Sequence, residues 1–587
     1  MILLRGHLHG ELDMATSCKI IANLYDEELK TSCDFIDHMG EAEQGEITVF
    51  QENRDSIKDY MTFEWNYNLL DGTKTHLPDD DSDRLFYISS EATDETGQYP
   101  PDIGVYAVFE NPVSASGLII DFYGESVDCL KIVWLNADYT ILHEVVAYPN
   151  NNRLELKCPV DEFSRIHIDP ISTRFPMWAL KIVDINFGQH MEWENEEIVS
   201  CGILEECNLV SEELPISTLN FEIYSQEDAF NMLNPRGIYR YLKSGQKFSV
   251  WAEQNGTQRQ MGEWYLDTWK NAVNHISSFS CVDVIGVLEQ RTFLNGEIYH
   301  NATVGYIVGT IMSDAGWEAY EIEDELREIV LSGHIPICTC REALHQVIFA
   351  IGACVNVMRD GTIKICRPAE AIAGIIDETR LFPDCTIEKG EQVARVLVTT
   401  HNLVVSDEVN EIYSGILPPG ETIIQFSSPA SNVKASVGEI VGSGYNYAVI
   451  KMPFQGECVL SGNSYTDMTN TLTIISETVS EGKVAEISDA YLVTAQTAAE
   501  FARRLLDYYE KFSISTSIRY LNEGEALAEY NSIKTEYGQY YTGAIISQSI
   551  DLAGGCIAQA SMIALNREMI GYLYTGELFA GEDMGVI

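Results

Sequence analysis

Positive charge is scarce in this chain. Its 587 residues carry 37 Lys and Arg against 89 Asp and Glu, a formal net charge of −52. A protein that holds duplex nucleic acid needs the opposite sign, because its affinity comes largely from cations that displace condensed counterions. Anionic membrane surfaces select against such a chain in the same way. The acid excess serves solubility in any case; the sharper reading is a surface past which nucleic acid slides without sticking. Proline is sparse too, 17 residues beside 42 Gly, with no long Pro-rich or Ser/Gly-rich tract. Domains packed together fit that better than domains on a tether. No apolar run approaches the ~20 residues of a membrane span. The opening Met1-Ile-Leu-Leu-Arg-Gly-His reaches Arg5 too soon for a signal-peptide core. The 14 Cys are scattered, and without a secretory signal they read as reduced thiols made in a cytoplasm.

Catalytic and metal motifs are equally thin. His7 and His9 suit one strand face but have no third ligand nearby. Cys338, Cys340 and His345, with His334 before and Cys354 after, fit no closed Cys/His spacing. Asp79, Asp81 and Asp83 imitate a calcium loop, yet Arg84 stands where Gly is required and Ser90 where a bidentate Glu is required. Gly442-Ser-Gly444-Tyr lacks the Lys and Ser/Thr of a phosphate cradle, and there is neither a Gly-x-Ser-x-Gly elbow nor His-Glu-x-x-His. Paired carboxylates for glycoside cleavage are too numerous to single out among 89 acids. No metal, cofactor or catalytic activity is expected.

What is present is length, apolar content and strand patterning. Hydrophobic residues make up 45% of the chain, enough for three to five cores. A mixed segment over 1–83 holds a short helix near Asp26–Lys30. From 84 to 190 period-two alternation predicts an antiparallel sandwich: Leu130, Ile132 and Trp134 share one face, and Val183, Ile185 and Phe187 alternate with Asp184 and Asn186. Aromatics at such a rim can stack on sugar rings. Trp134 follows the inward phase, which leaves Tyr139, Tyr148 and Trp178 as candidate glycan contacts.

Four more strands are expected within 191–290. Over 291–370, Val304, Ile307, Val308, Ile311, Met312 and Ala315 predict a helix stopped by Gly316. Thr339 and Glu342 form a capping box ahead of a second helix, and Asp360-Gly361 suits the positive-φ positions of a hairpin turn. Residues 371–587 read as β-rich with one helix over Thr497–Lys511. The fold class is α+β, β-dominated and multidomain.

Several stretches stand out together: Met61-Thr-Phe-Glu-Trp-Asn-Tyr-Asn-Leu-Leu-Asp-Gly-Thr with Leu77-Pro-Asp-Asp, and Gly117-Leu-Ile-Ile-Asp-Phe with the closing run Trp178 to Gly188. Phe230 to Gln246, Gly262 to Trp269, and Arg359-Asp-Gly-Thr-Ile-Lys-Ile follow. Taken together they resemble the hub and tail-tip proteins of phages and prophages of Gram-positive bacteria. The signature positions are Asn231, Pro235, Gly237, Tyr241, Leu242, Gln246, Gly262, Trp269, Asp360 and Gly361. The resemblance implies a tube-like β domain split by an inserted, galactose-binding-like sandwich. It implies a homotrimer in the virion that contacts the distal tail ring protein, tail tube, tape-measure protein and tail fibres or receptor-binding proteins. Genome DNA would pass without specific binding. A host-glycan adhesin is the alternative, gripping through the sandwich, and a glycan-cleaving enzyme is a remote third.

Overall fold

The computed structural model describes residues 16–37, 60–61, 75–76 and 87–564, except 102, 124–126, 227, 235–236, 272–274, 369–371, 384, 391, 512–513 and 535–539. His7, His9, the Asp79–Asp83 run, most of Met61–Asp80 and Pro235 lie outside the described residues. The chain is β-dominated and built from several sheets. It divides into two compact units, one of residues 21–192 and 226–246, the other of 1–20, 193–225 and 247–587.

The first unit is a sandwich. One sheet runs in the order Cys33–Asp37, Val105–Ala115, Val160–Ser172, Cys129–Leu135, Ile141–Ala147, all antiparallel. The facing layer contains Arg153–Leu156, Leu118–Phe122 and Ala179–Trp193, with Tyr87–Ala92 also paired to the last. Leu118–Phe122 is buried along its whole length, as an unbroken apolar run in a central strand should be. Trp134, Phe109, Phe163 and Phe187 fill the space between layers, with the last three in edge-to-face pairs. This unit is larger than the expected 84–190. Cys33–Asp37 supplies an edge strand from a region whose mixed polarity gave no alternation, and the loop 226–246 returns to it.

Asp184 and Asn186 alternate with the apolar residues of their strand, yet they do not face water. Lys181, Asp184 and Asn186 are all buried. The helix Glu27–Thr31, N-capped by Asp26, carries Lys30 onto the polar side of the strand. Gly188 lies at φ +148°, and a Cβ there would run into the Leu24 carbonyl, so the residue has to be glycine.

In the second unit one large antiparallel sheet follows the order Lys247–Gln254, Thr257–Asn271, Ile276–Val282, Thr218–Tyr224, Ile198–Glu206, Tyr540–Asp551, Ile557–Ala564, Ile514–Leu521, Thr386–Lys389. The segments 191–290 and 371–587, read from sequence as separate, therefore share one sheet. Pairing partners more than 300 residues apart leave no local signal. Trp193, Phe221, Phe248 and Phe279 pack under it, with Phe221 and Phe279 stacked at 4.8 Å.

The helices Val304–Ala315 and Cys340–Ile351 share a core with the hairpin Cys354–Val357/Ile363–Cys366. Gly316 terminates the first at φ 63°, and Thr339 and Glu342 form the expected capping box. Thr339 also donates to Glu289. Changing Thr339 to Ala is expected to cost about 1–2 kcal/mol, read as a lower midpoint in thermal unfolding.

A long two-stranded arm, Val393–Leu417 with Gly456–Ile475, leads to a small distal core of its own. The helix Ala498–Lys511 packs at the base of this arm, burying Ala498, Phe501, Ala502 and Leu505.

Candidate functional site

The large sheet has one apolar and one polar face. Its aromatic core lies on one side, and period-two alternation puts the other residues on the opposite side. Register carries that polar face across seven strands. Ser517, Ser561, Ser547 and Glu206 follow one another in one row; Arg519, Gln559, Ser549, Leu204 and Thr218 form the next. Asp551, Gly202, Asn220, Ser280 and Thr268 make a third, and Ser200, Glu222, Ser278 and Lys270 a fourth. The face is thus mostly small hydroxyl and amide side chains. Its charges nearly cancel, with Glu206, Glu222 and Asp551 against Arg519 and Lys270. Ser278 donates to Glu222 at 2.9 Å, which holds that carboxylate flat in the face.

Beside the face lies a cavity of about 260 Å³ lined by the signature residue Gly262 and by Arg359, which immediately precedes the signature pair Asp360 and Gly361. The hairpin tip brings them together. Gly361 sits at φ 81° and Asp360 does not, because this turn needs one positive-φ residue; the Asp360 carboxylate instead accepts from Thr362 N at 3.0 Å. A Cβ on Gly361 would come 3.0 Å from Glu263 Oε2, so the tip seats closely on the sheet. Arg359 then forks onto Glu205 through both terminal nitrogens and donates to Met261 O at 2.9 Å. Gln548 donates to Glu205 Oε2 at 2.7 Å, and accepts from Tyr520 at 2.9 Å.

Beside this network Asp283 caps the helix Val284–Glu289, accepting from Gly286 N and Ser217 N. Burial pushes its carboxyl up to about 6 against the pull of those amides. The signal for this joint in the sequence was Arg359 at a hairpin tip; its partner Glu205 lies 154 residues away and carries no local mark.

The remaining signature residues belong to the loop 226–246 of the sandwich unit. Asn231 accepts from Leu233 N at 2.9 Å, and a Cβ on Gly237 would press on Ala229 O. Leu242 is buried. Gln246 donates to Asn23 O at 2.7 Å, and Arg240 lies over Tyr241 while approaching Asp161. These residues fold and seat a loop. Trp269 is half-buried on its strand in the other unit.

The three aromatics singled out for sugar stacking are not brought together. Tyr139 and Tyr148 are 60% and 72% exposed, but they flank opposite ends of the strand Ile141–Ala147, so roughly 30 Å separates them at strand rise. Arg165 covers one face of Tyr139 at 4.4 Å, and Lys181 lies over Trp178 at 4.2 Å. The thiol and imidazole cluster is dispersed as well. His334 meets Asn446, and burial lowers its pKa; His345 meets Glu212 O. Burial pushes the Cys338 thiol up to about 12 and Cys340 to about 11. Among the described residues no three such side chains gather at a metal-binding spacing.

No protein-family model matches the chain, and no curated protein matches it in sequence. Solved structures do. A 43 kDa tail protein of prophage MuSo2 from Shewanella oneidensis is 12% identical, with 64% of this chain and 96% of that one covered and a TM-score of 0.40. A prophage tail protein from Listeria monocytogenes is 11% identical over 64% and 91%, with a TM-score of 0.37. A type VI secretion component from E. coli, described as similar to bacteriophage T4 tail proteins, is 7% identical over 64% and 75%, with a TM-score of 0.34.

Proposed function

We propose that the chain is a structural subunit of a phage-type tail tip, a baseplate hub that joins the tail tube to the host-contacting tip. The observation that carries this reading is the seven-strand polar face. It is broad and continuous, rich in Ser, Thr and Asn, and it lacks a cation row among the described residues. A wall of this kind offers DNA no counterion-releasing contact, so phosphate slides past it. For all the net charge of −52, this face is nearly neutral, because its few charges balance. The strong negative charge then belongs to other surfaces.

Assembly supplies the second support. The arm exposes Val409, Ile416 and Met468, and the turn before its second strand exposes Phe454, at 57–71%. Apolar side chains in that density on so acidic a chain suit burial against other chains. A homotrimer contacting the distal tail ring, the tube and the tape-measure protein accommodates both surfaces, with fibres or receptor-binding proteins attached outside. The separated aromatics give the glycan-adhesin alternative no single platform.

The test is made on assembled particles. Asn220→Lys together with Ser549→Lys, both on the polar face, should leave particle yield unchanged and slow triggered genome release several-fold, more at low salt than at high. Unchanged release at every salt concentration, or a chain that labelling finds away from the tail tip, overturns the reading.

A further inference from the structure

Lys30, Asp184 and Asn186 form an arrangement that packing alone does not require. Lys30 Nζ lies 2.9 Å from Asn186 Oδ1 and 2.9 Å from Asp184 Oδ1, and Asn186 Nδ2 donates to Asp184 Oδ2 at 2.8 Å. The donors and acceptors fix the amide orientation, since the ammonium needs an oxygen and the carboxylate needs an N–H. Asp184 and Asn186 are 2% and 3% exposed, on one side of the last long strand of the sandwich unit, while Lys30 arrives from its first helix. A largely covered amine, a buried carboxamide and a buried carboxylate touching both are therefore held together.

We propose that Lys30 and Asn186 join in a self-made amide cross-link, with Asp184 as the catalytic carboxylate. The Lys30 ammonium passes a proton to Asp184, and the freed amine attacks Asn186 Cγ. The Nζ–Cγ bond forms and the Cγ–Nδ2 bond breaks. Asp184 moves the protons from Nζ to the departing nitrogen, which its other oxygen already touches. Lysine ammonium and asparagine carboxamide become one secondary amide and one ammonium ion, and Asp184 ends as it began. No oxidant, metal or cofactor enters. Confinement replaces an encounter in solution, where such intramolecular placement is worth effective molarities of roughly 10⁵ M and above. The product would tie the first helix of the unit to its last strand across 156 positions of sequence. This inference is independent of the tail-tip reading, since it rests on the sandwich unit alone.

Intact mass of the purified full chain, measured after denaturation, tests it. The chain should fall short of its sequence mass by one ammonia, about 17 Da, and digestion should yield one branched peptide containing Lys30 and Asn186. Lys30→Arg and Asp184→Ala should each restore full mass and give the two peptides separately. Two variants guard against a folding defect in either, and the wild-type mass decides the cross-link without them. Full mass with separate peptides in the wild-type chain, or deamidation of Asn186 in place of ammonia loss to Lys30, overturns the proposal. A cross-link that persists in Asp184→Ala overturns the role of the carboxylate.

Discussion

Changing Arg359 to Leu should lower the stability of the large-sheet unit by about 3–5 kcal/mol, more than any other single substitution considered for that unit. Glu205 is 7% exposed and sits under the sheet, where its charge is balanced by the Arg359 fork. Removing the cation leaves a buried carboxylate with Gln548 as its remaining donor at 2.7 Å, and an amide dipole offsets only part of that charge. The Met261 carbonyl loses its donor as well. Denaturant unfolding should show the loss as a lower midpoint. Glu205→Gln added to Arg359→Leu should recover part of it, because an amide removes the unbalanced charge while keeping the shape. A single variant within about 1 kcal/mol of wild type would mean that water reaches Glu205 and the joint is solvated.

Asp283 gives the second large effect, one that depends on pH. Its folded carboxyl titrates near 6, above the ~3.9 of an unfolded chain, so the folded state holds the proton more tightly. The stability linked to it is fully present below about pH 4 and is lost as pH rises through about 6. Roughly two pKa units at 1.36 kcal/mol each amount to about 3 kcal/mol. Asp283→Asn cannot titrate and keeps one oxygen to accept from Gly286 N or Ser217 N. The stability of the Asn variant relative to wild type should therefore improve by about 3 kcal/mol between about pH 4 and pH 7. Denaturant titrations across that range measure the difference directly, and parallel curves for the two proteins would rule the effect out.

Local signals were legible in the sequence where a single element supplies its own evidence. The stripe from Val304 to Ala315 with Gly316 after it, and the reciprocal pair Thr339 and Glu342, each need no distant partner. Trp134 in the inward phase was readable for the same reason. Illegible were positions whose environment comes from elsewhere in the chain. Asp184 and Asn186 look like the wet side of a strand until Lys30 covers them. Glu205 is one acid among many until Arg359 reaches it. The pairing of Val393–Leu417 with Gly456–Ile475 was invisible too, because strand patterning does not say which strands are partners. Tyr139 and Tyr148 looked like one rim in sequence, yet a whole strand lies between them.

The partnership of Ile198–Glu206 with Tyr540–Asp551 also sets a timetable. During synthesis the early strand emerges more than 300 residues before its neighbour exists, with a row of unsatisfied amides and carbonyls along one side. Contacts this remote make for slow closure and a long interval in which a foreign strand can take the vacant place. Nascent chains halted before residue 540 should accordingly clump, and the decisive moment in making this protein comes near the end of translation.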